Sequence, residues 1–298
     1  MIANSILVLN GKGGVGKTSL TANLAGLAAL TGWRVLAVDL DPQGNLGRDL
    51  GYLADADDGG SLATATAQGS RPEPLRDVRP GLDVLAGGPA LDGLVADLQR
   101  ALLGGDLAAA DRLGLALGAV AIDYDLVVID SPPGEALLHA AAIRAVHYIV
   151  IPTRADAASI DGLGRVAAVV AREGAANPGL EVLGVVLGPL PRGARAIARQ
   201  TRVELEALLG ERIIVFDTII RDVPRAAVDC RGRGVLAHEY EQEALKAPRW
   251  WERKARPDGG EGFSDAAAGL ASDYQELVRE ILARFSARQA VAVTAGEI

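Results

Sequence analysis

Cysteine is almost missing: Cys230 is the single thiol among 298 residues. One chain can therefore build neither a disulfide nor a thiolate metal cluster, and such usage fits a reducing compartment. Long apolar runs are missing too. No stretch reaches the roughly eighteen uninterrupted apolar residues that a spanning helix needs. The opening MIANSILVLNGKGG has no basic leader, so its apolar run reads as a strand entering a glycine loop, not as a secretory signal. Lysine occurs four times, as Lys12, Lys17, Lys246 and Lys254. Arginine supplies nearly all the other positive charge, yet two lysines fall close together near the start. An ammonium is a compact point charge on a flexible stem, and guanidinium does not replace it in a tight loop around an anion. That skew points to chemistry at Lys12 and Lys17. Positive charge is also outnumbered: the net charge of −8 excludes a protein coated in cations, though not a local basic face. His139, His147 and His238 have no metal-ligand spacing and receive no role.

What is present is ample apolar material, 49% of the chain, enough for one large core. Short apolar runs read as buried strands at Ile6 to Asn10, Val35 to Asp39, Leu82 to Leu85, Leu126 to Asp130, Tyr148 to Ile151 and Val182 to Leu187, with Ile213 to Phe216 as a seventh. Helical patterns lie between most of them, at Thr18 to Leu30, Leu91 to Leu103, Leu107 to Leu117, Ala136 to Ala145, Ile160 to Arg172 and Ala196 to Leu209. Such alternation predicts an α/β fold: a doubly wound, mostly parallel sheet with helices on both faces. Ala54 to Pro80 reads as a loop-rich connection. A single domain over residues 1–298 is expected, with an inserted segment near 241–265, broken by PRWWERKARPDGGEG. An amphipathic closing helix follows at Ala266 to Phe285, and then a loose tail.

Gly11-Lys12-Gly13-Gly14-Val15-Gly16-Lys17-Thr18 matches the phosphate-loop pattern G-x-x-x-x-G-K-[ST], and it lies between a strand and a helix as that motif requires. Its glycines let backbone amides turn around phosphate oxygens, and the helix start adds a positive dipole end. Lys17 is expected to neutralise the β and γ phosphates, and the Thr18 hydroxyl to bind Mg²⁺. The binding set is Gly11 through Thr18 together with Ser19. Asp39, Asp41 and Asp130 sit at strand ends, in VDLDPQGN and LVVIDSPPG. In open parallel sheets ligands lie beyond those ends, so all three carboxylates are expected near the phosphates, with Asp130 on the metal side.

KGGVGKT, DLDPQGN and VVIDSPP resemble the deviant Walker A, A′ and B motifs of the ParA/MinD ATPases. The resemblance continues through YIVIPTRADAASIDGL, IIRDVPRAA and GRGVLAHEY, from about Ile2 to Tyr240, and takes in the closing helix. It implies ATP and Mg²⁺ as cofactors and a homodimer with two ATP molecules at the interface. In that comparison Lys12 is the lysine that reaches the partner's nucleotide. Asp41 positions the attacking water, Asp39 and Asp130 support Mg²⁺, and Pro133 and Gly134 belong to the switch region. One cysteine argues against the iron–sulfur relatives. A C-terminus of RQAVAVTAGEI lacks the basic amphipathic helix of MinD-type membrane binders. The similarity is greatest to short ParA-type partition ATPases: cytoplasmic, nucleoid-associated, not on the membrane, and working with a ParB-like or other adaptor. The alternatives are the same engine moving a protein cargo, or a MinD-like membrane-surface regulator.

Arg192, Arg195, Arg199 and Arg202 are spaced by three, four and three, so a helix would set them on one face. Such a stripe can hold DNA phosphates without reading sequence. A solvated arginine face beside Glu204 and Glu206 is the competing reading. The Trp250–Trp251 pair reads as an anchor pinning the inserted segment to the body, with partner or DNA contact as the alternative.

Overall fold

The computed structural model describes residues 1–210, 213–247, 262–264 and 266–295. Strands β1 (Ile2–Val8), β2 (Val35–Asp39), β3 (Leu75–Arg79), β4 (Leu82–Leu85), β5 (Leu126–Asp130), β6 (Val146–Thr153) and β7 (Glu181–Leu187) form one sheet in the order β3-β4-β2-β5-β1-β6-β7. Every pairing is parallel except that of β3 with β4. The central strands are apolar at nearly every position because both of their faces are covered. Ile6 and Val8 of β1 enter one core, and Ile2 and Leu7 enter the other. On β5, Leu126 and Val128 face one way while Val127 and Ile129 face the opposite way. A strand's period of two thus divides a continuous apolar run between two layers of helix.

The helices are α1 (Lys17–Leu30), α2 (Leu46–Leu50), α3 (Gly60–Gln68), α4 (Ala90–Leu103), α5 (Arg112–Ala121), α6 (Ala136–Ala145), α7 (Ala157–Gly174), α8 (Arg195–Leu209), α9 (Pro224–Arg233), α10 (Ala237–Lys246) and α11 (Ala267–Ala295). Helix α1 is buried almost all round, which explains its run of Ala and Leu with little amphipathic bias. Helix α11 seals one face of the sheet. Its Phe285 ring meets Tyr148 on β6 edge-on at 5.3 Å, and Trp33 lies 6.0 Å away on the other side.

Five sequence expectations change. Ala54 to Pro80 is not a loop throughout, since it holds α3 and β3. The Gly and Pro there punctuate regular elements: Arg79-Pro80-Gly81 turns β3 into β4, with Gly81 at a left-handed φ of 77°. Ile213 to Phe216 is not a strand. It makes one isolated bridge, Val185 to Val215. Beyond it the amides of Asp217 and Thr218 donate to the Glu280 carboxylate on α11, at 2.8 and 3.0 Å, which interrupts the pairing until Ile220 N donates to Leu187 O at 3.2 Å. The expected loose tail continues α11 as far as Ala295. The Leu107 to Leu117 helix is divided into a 3-10 turn over Leu107–Asp111 and the start of α5. Residues 241–246 of the expected insertion belong to α10. Trp250 and Trp251 lie outside the described residues. Among the described residues, no helix is long and apolar enough to cross a membrane.

Candidate nucleotide site and basic face

Strand β1 is central, so its C-terminal end opens on the middle of the sheet edge, flanked by the ends of β5 and β6. Asn10 anchors the exit: its side-chain amide donates to Pro152 O at 2.8 Å, and its oxygen accepts from Lys12 N at 2.8 Å. The chain then turns through Gly14 and Gly16, whose φ values of 73° and 86° are left-handed and strain any residue with a Cβ. Gly16 opens α1, with Leu20 N donating to Gly16 O at 2.9 Å. The loop and helix line a cavity of about 360 Å³, which continues past Asp41 and Asn45 to Pro189, Asp222 and Val223.

Lys17 is 6% exposed, and its ammonium donates to Lys12 O at 3.1 Å. Burial lowers its pKa, while Asp130 and Asp41 act in the opposite sense by favouring the charge. Asp130 is fully buried, and burial pushes its pKa up to about 7, against the Thr18 hydroxyl and Lys17, which favour the carboxylate. Its Oδ2 is buried with no protein hydrogen-bond partner. Asp41 is 4% exposed at the cavity wall; its oxygens accept from Gln43 N at 2.9 Å and Asn45 Nδ2 at 3.3 Å. Asp39 is placed differently from Asp41. Its two oxygens accept from Asp41 N at 2.9 Å and Leu46 N at 3.0 Å, so it lies beneath the A′ loop and does not line the cavity.

Lys12 points away from the cavity. Its ammonium lies 2.9 Å from both Asp156 Oδ1 and Ser159 Oγ. Asp156 caps α7 by accepting from Ser159 N, and Lys12 keeps its pKa below the usual carboxylate range. Asp49 on α2 was not singled out by the sequence. It accepts from Ser19 Oγ and from Arg231 Nε on α9, both at 2.7 Å, which ties the start of α1 to two distant elements. No motif spacing marks either pair. His139, assigned no role from sequence, hydrogen-bonds Pro132 O at 2.7 Å, just before Pro133 and Gly134.

The arginine stripe is only partly assembled. Arg195 and Arg199 are exposed on α8, and Arg192 is exposed in the turn before it. Arg202 does not join them. It is turned to the body, donating to Val215 O at 2.8 Å and Phe216 O at 2.5 Å, with Asp217 3.3 Å away. Spacing set its angle on the helix correctly but could not reveal that a chain segment packs there.

A family model described as AAA domain matches residues 3–181. The chain is 34% identical over 235 residues to the chromosome-partitioning ATPase Soj of Thermus thermophilus, spanning 78% of this chain and 87% of that one. Among solved structures, cobyrinic acid a,c-diamide synthase of Mycobacterium smegmatis, with ATP analogue and magnesium bound, superposes with a TM-score of 0.60 at 25% identity, over 84% of this chain and 96% of that one. The structure of pNOB8 ParA bound to nonspecific DNA gives a TM-score of 0.62 at 20% identity, over 96% and 99%. The phosphate loop, the carboxylates at the ends of β2 and β5, and these similarities agree: the chain belongs to the ParA/MinD family of P-loop ATPases.

Proposed function

We propose that this chain is a ParA-type partition ATPase, which closes into a dimer on ATP, holds DNA without regard to sequence and releases it on hydrolysis. One observation carries the reading: a buried lysine in a phosphate loop lines a cavity with Asp41, beyond the end of β2, and also feels the charge of Asp130 at the end of the neighbouring β5. Lys17 meets the β and γ phosphates. The Thr18 hydroxyl and the unpartnered Asp130 Oδ2 suit Mg²⁺, which needs few protein ligands because phosphates and water complete its shell. When bound, Mg²⁺ would neutralise charge building on the phosphate oxygens. Asp41 orients a water whose oxygen attacks the γ phosphorus as the bond to the β–γ bridging oxygen breaks, giving ADP, phosphate and a proton. Asp39 serves by fixing the loop that carries Asp41.

Lys12 is the dimer sensor in this reading. Its ion pair with Asp156 is 39% and 43% exposed on the two sides, so water competes and the pair is easily released. Lys12→Ala is expected to remain monomeric by light scattering with a slowly hydrolysed ATP analogue, whereas Asp156→Ala should dimerise at lower nucleotide concentration. If Lys12→Ala dimerises as the parent does, the lysine has no role across the interface.

DNA contact is assigned to Arg192, Arg195 and Arg199, which have no carboxylate within ion-pair distance among the described residues. Closure of a two-fold dimer doubles the number of such cations on one body. Each phosphate contact releases counterions, so Arg195→Ala/Arg199→Ala should reduce the slope of log K against log salt by about 3 to 4 per dimer. Filter binding of unrelated duplexes at several salt concentrations, with and without ATP, reads this. An unchanged slope would remove α8 from the DNA interface, and Arg202→Ala should cost stability instead.

A further inference from the structure

Arg154 is a cation in the loop after β6 that the reading above leaves unused. Its guanidinium donates to Gly14 O of the phosphate loop at 3.2 Å, at an exposed position. It has no carboxylate partner within ion-pair distance among the described residues, unlike Lys12 of the phosphate loop, which pairs with Asp156. It does not line its own nucleotide cavity.

The surface around it is suited to close approach. Gly13, Gly14, Pro133 and Gly134 are all exposed there. A Cβ built on Gly14 would meet nothing within 4 Å, and one on Gly13 would meet only Pro133 Cβ, at 4.0 Å. Glycines at this density leave backbone open to a facing molecule, and Gly13, Gly14 and Pro133 also rim the cavity mouth. In an isologous dimer the same patch faces itself, so a residue beside one mouth lies opposite the other.

We propose that Arg154 reaches across the dimer interface to the partner's nucleotide and contacts its phosphate oxygens, as a second trans cation beside Lys12. This rests on the ATP-sandwich reading. A guanidinium suits the task because its planar fork can take two phosphate oxygens at once, and its charge persists at any working pH. The Gly14 carbonyl is a neutral partner that holds the side chain at the interface without cancelling its charge. Arg154 then stabilises charge that develops on the transferring phosphoryl group only after closure, so turnover depends on dimerisation.

The test uses the full chain. Arg154→Ala should bind fluorescent ADP as a monomer with affinity within about twofold of the parent's, yet lose about 10²–10³-fold in kcat. Arg154→Lys should recover part of the loss, since it restores the charge but not the fork. The decisive experiment mixes Arg154→Ala and Asp41→Ala monomers before ATP is added. A trans arginine leaves one intact site in each mixed dimer, so phosphate release should rise to about a quarter of the parent's. A cis arginine leaves none. A mixture no more active than its components, with the parent still dimerising on ATP analogue, overturns the trans assignment. A full kcat in Arg154→Ala overturns any phosphate role. A parent that stays monomeric on the analogue overturns the sandwich reading itself, and this proposal with it.

Discussion

Lys17→Ala is expected to abolish measurable ATP turnover and to weaken nucleotide binding more than any other single change. The side chain is 6% exposed, and Asp130 and Asp41 both favour its charge. Its removal deletes the charge that offsets the β and γ phosphates. It also leaves those carboxylates facing the incoming anion with no cation between them. Loss of one preorganised donor to a reacting centre costs about 10²–10³ in kcat, and a full buried charge should sit at or beyond the upper end. Phosphate release and fluorescent-nucleotide titration check this, with a melting curve to exclude unfolding. Turnover within tenfold of the parent in a folded Lys17→Ala protein would show that the loop is not the phosphate site.

Asp41→Ala should separate binding from chemistry. Asp41 forms part of the cavity wall, but its hydrogen bonds run within its own loop, to Gln43 N and Asn45. ATP affinity should therefore change by only a few fold, whereas kcat should fall by about 10²–10⁴, the range that a positioned acid–base group supplies. Asp41→Asn keeps an oxygen for Gln43 N and loses the charge. If it is as slow as Asp41→Ala, the carboxylate's negative charge acts on the water; if it recovers, loop geometry is what matters. Equal loss of affinity in the Lys17 and Asp41 variants would contradict the separate roles assigned to them.

The parts of this site that could be read from sequence are those with local causes. Eight consecutive residues specify the phosphate loop, and apolar runs ending in Asp39 and Asp130 identify strands that finish beside it. Helix and strand alternation was enough for a parallel sheet covered on both faces. What escaped depends on residues far apart in the chain. Lys12 and Asp156 are 144 positions apart, and Asp49 and Arg231 are 182 apart. No periodicity encodes such pairs. Arg202 had the right spacing for a stripe, but the segment it packs against is invisible to helical geometry. Ile213 to Phe216 has strand composition, yet Glu280 on α11 takes the amides of Asp217 and Thr218, and the pairing is interrupted after one bridge before it resumes at Ile220 and Arg221. In Ala54 to Pro80, small residues such as those of SLATATAQ concealed a helix, and Gly81 concealed a hairpin.

ATP, and not ADP, is expected to bring two copies together through the face bearing Lys12 and the exposed Gly13 and Gly14. Light scattering of the purified chain with Mg²⁺ measures it directly, comparing ADP with a slowly hydrolysed ATP analogue. The expected result is the monomer mass of 30.8 kDa with ADP and twice that mass with the analogue, with Lys12→Ala monomeric in both. One mass in both nucleotide states, whether monomer or dimer, would contradict it.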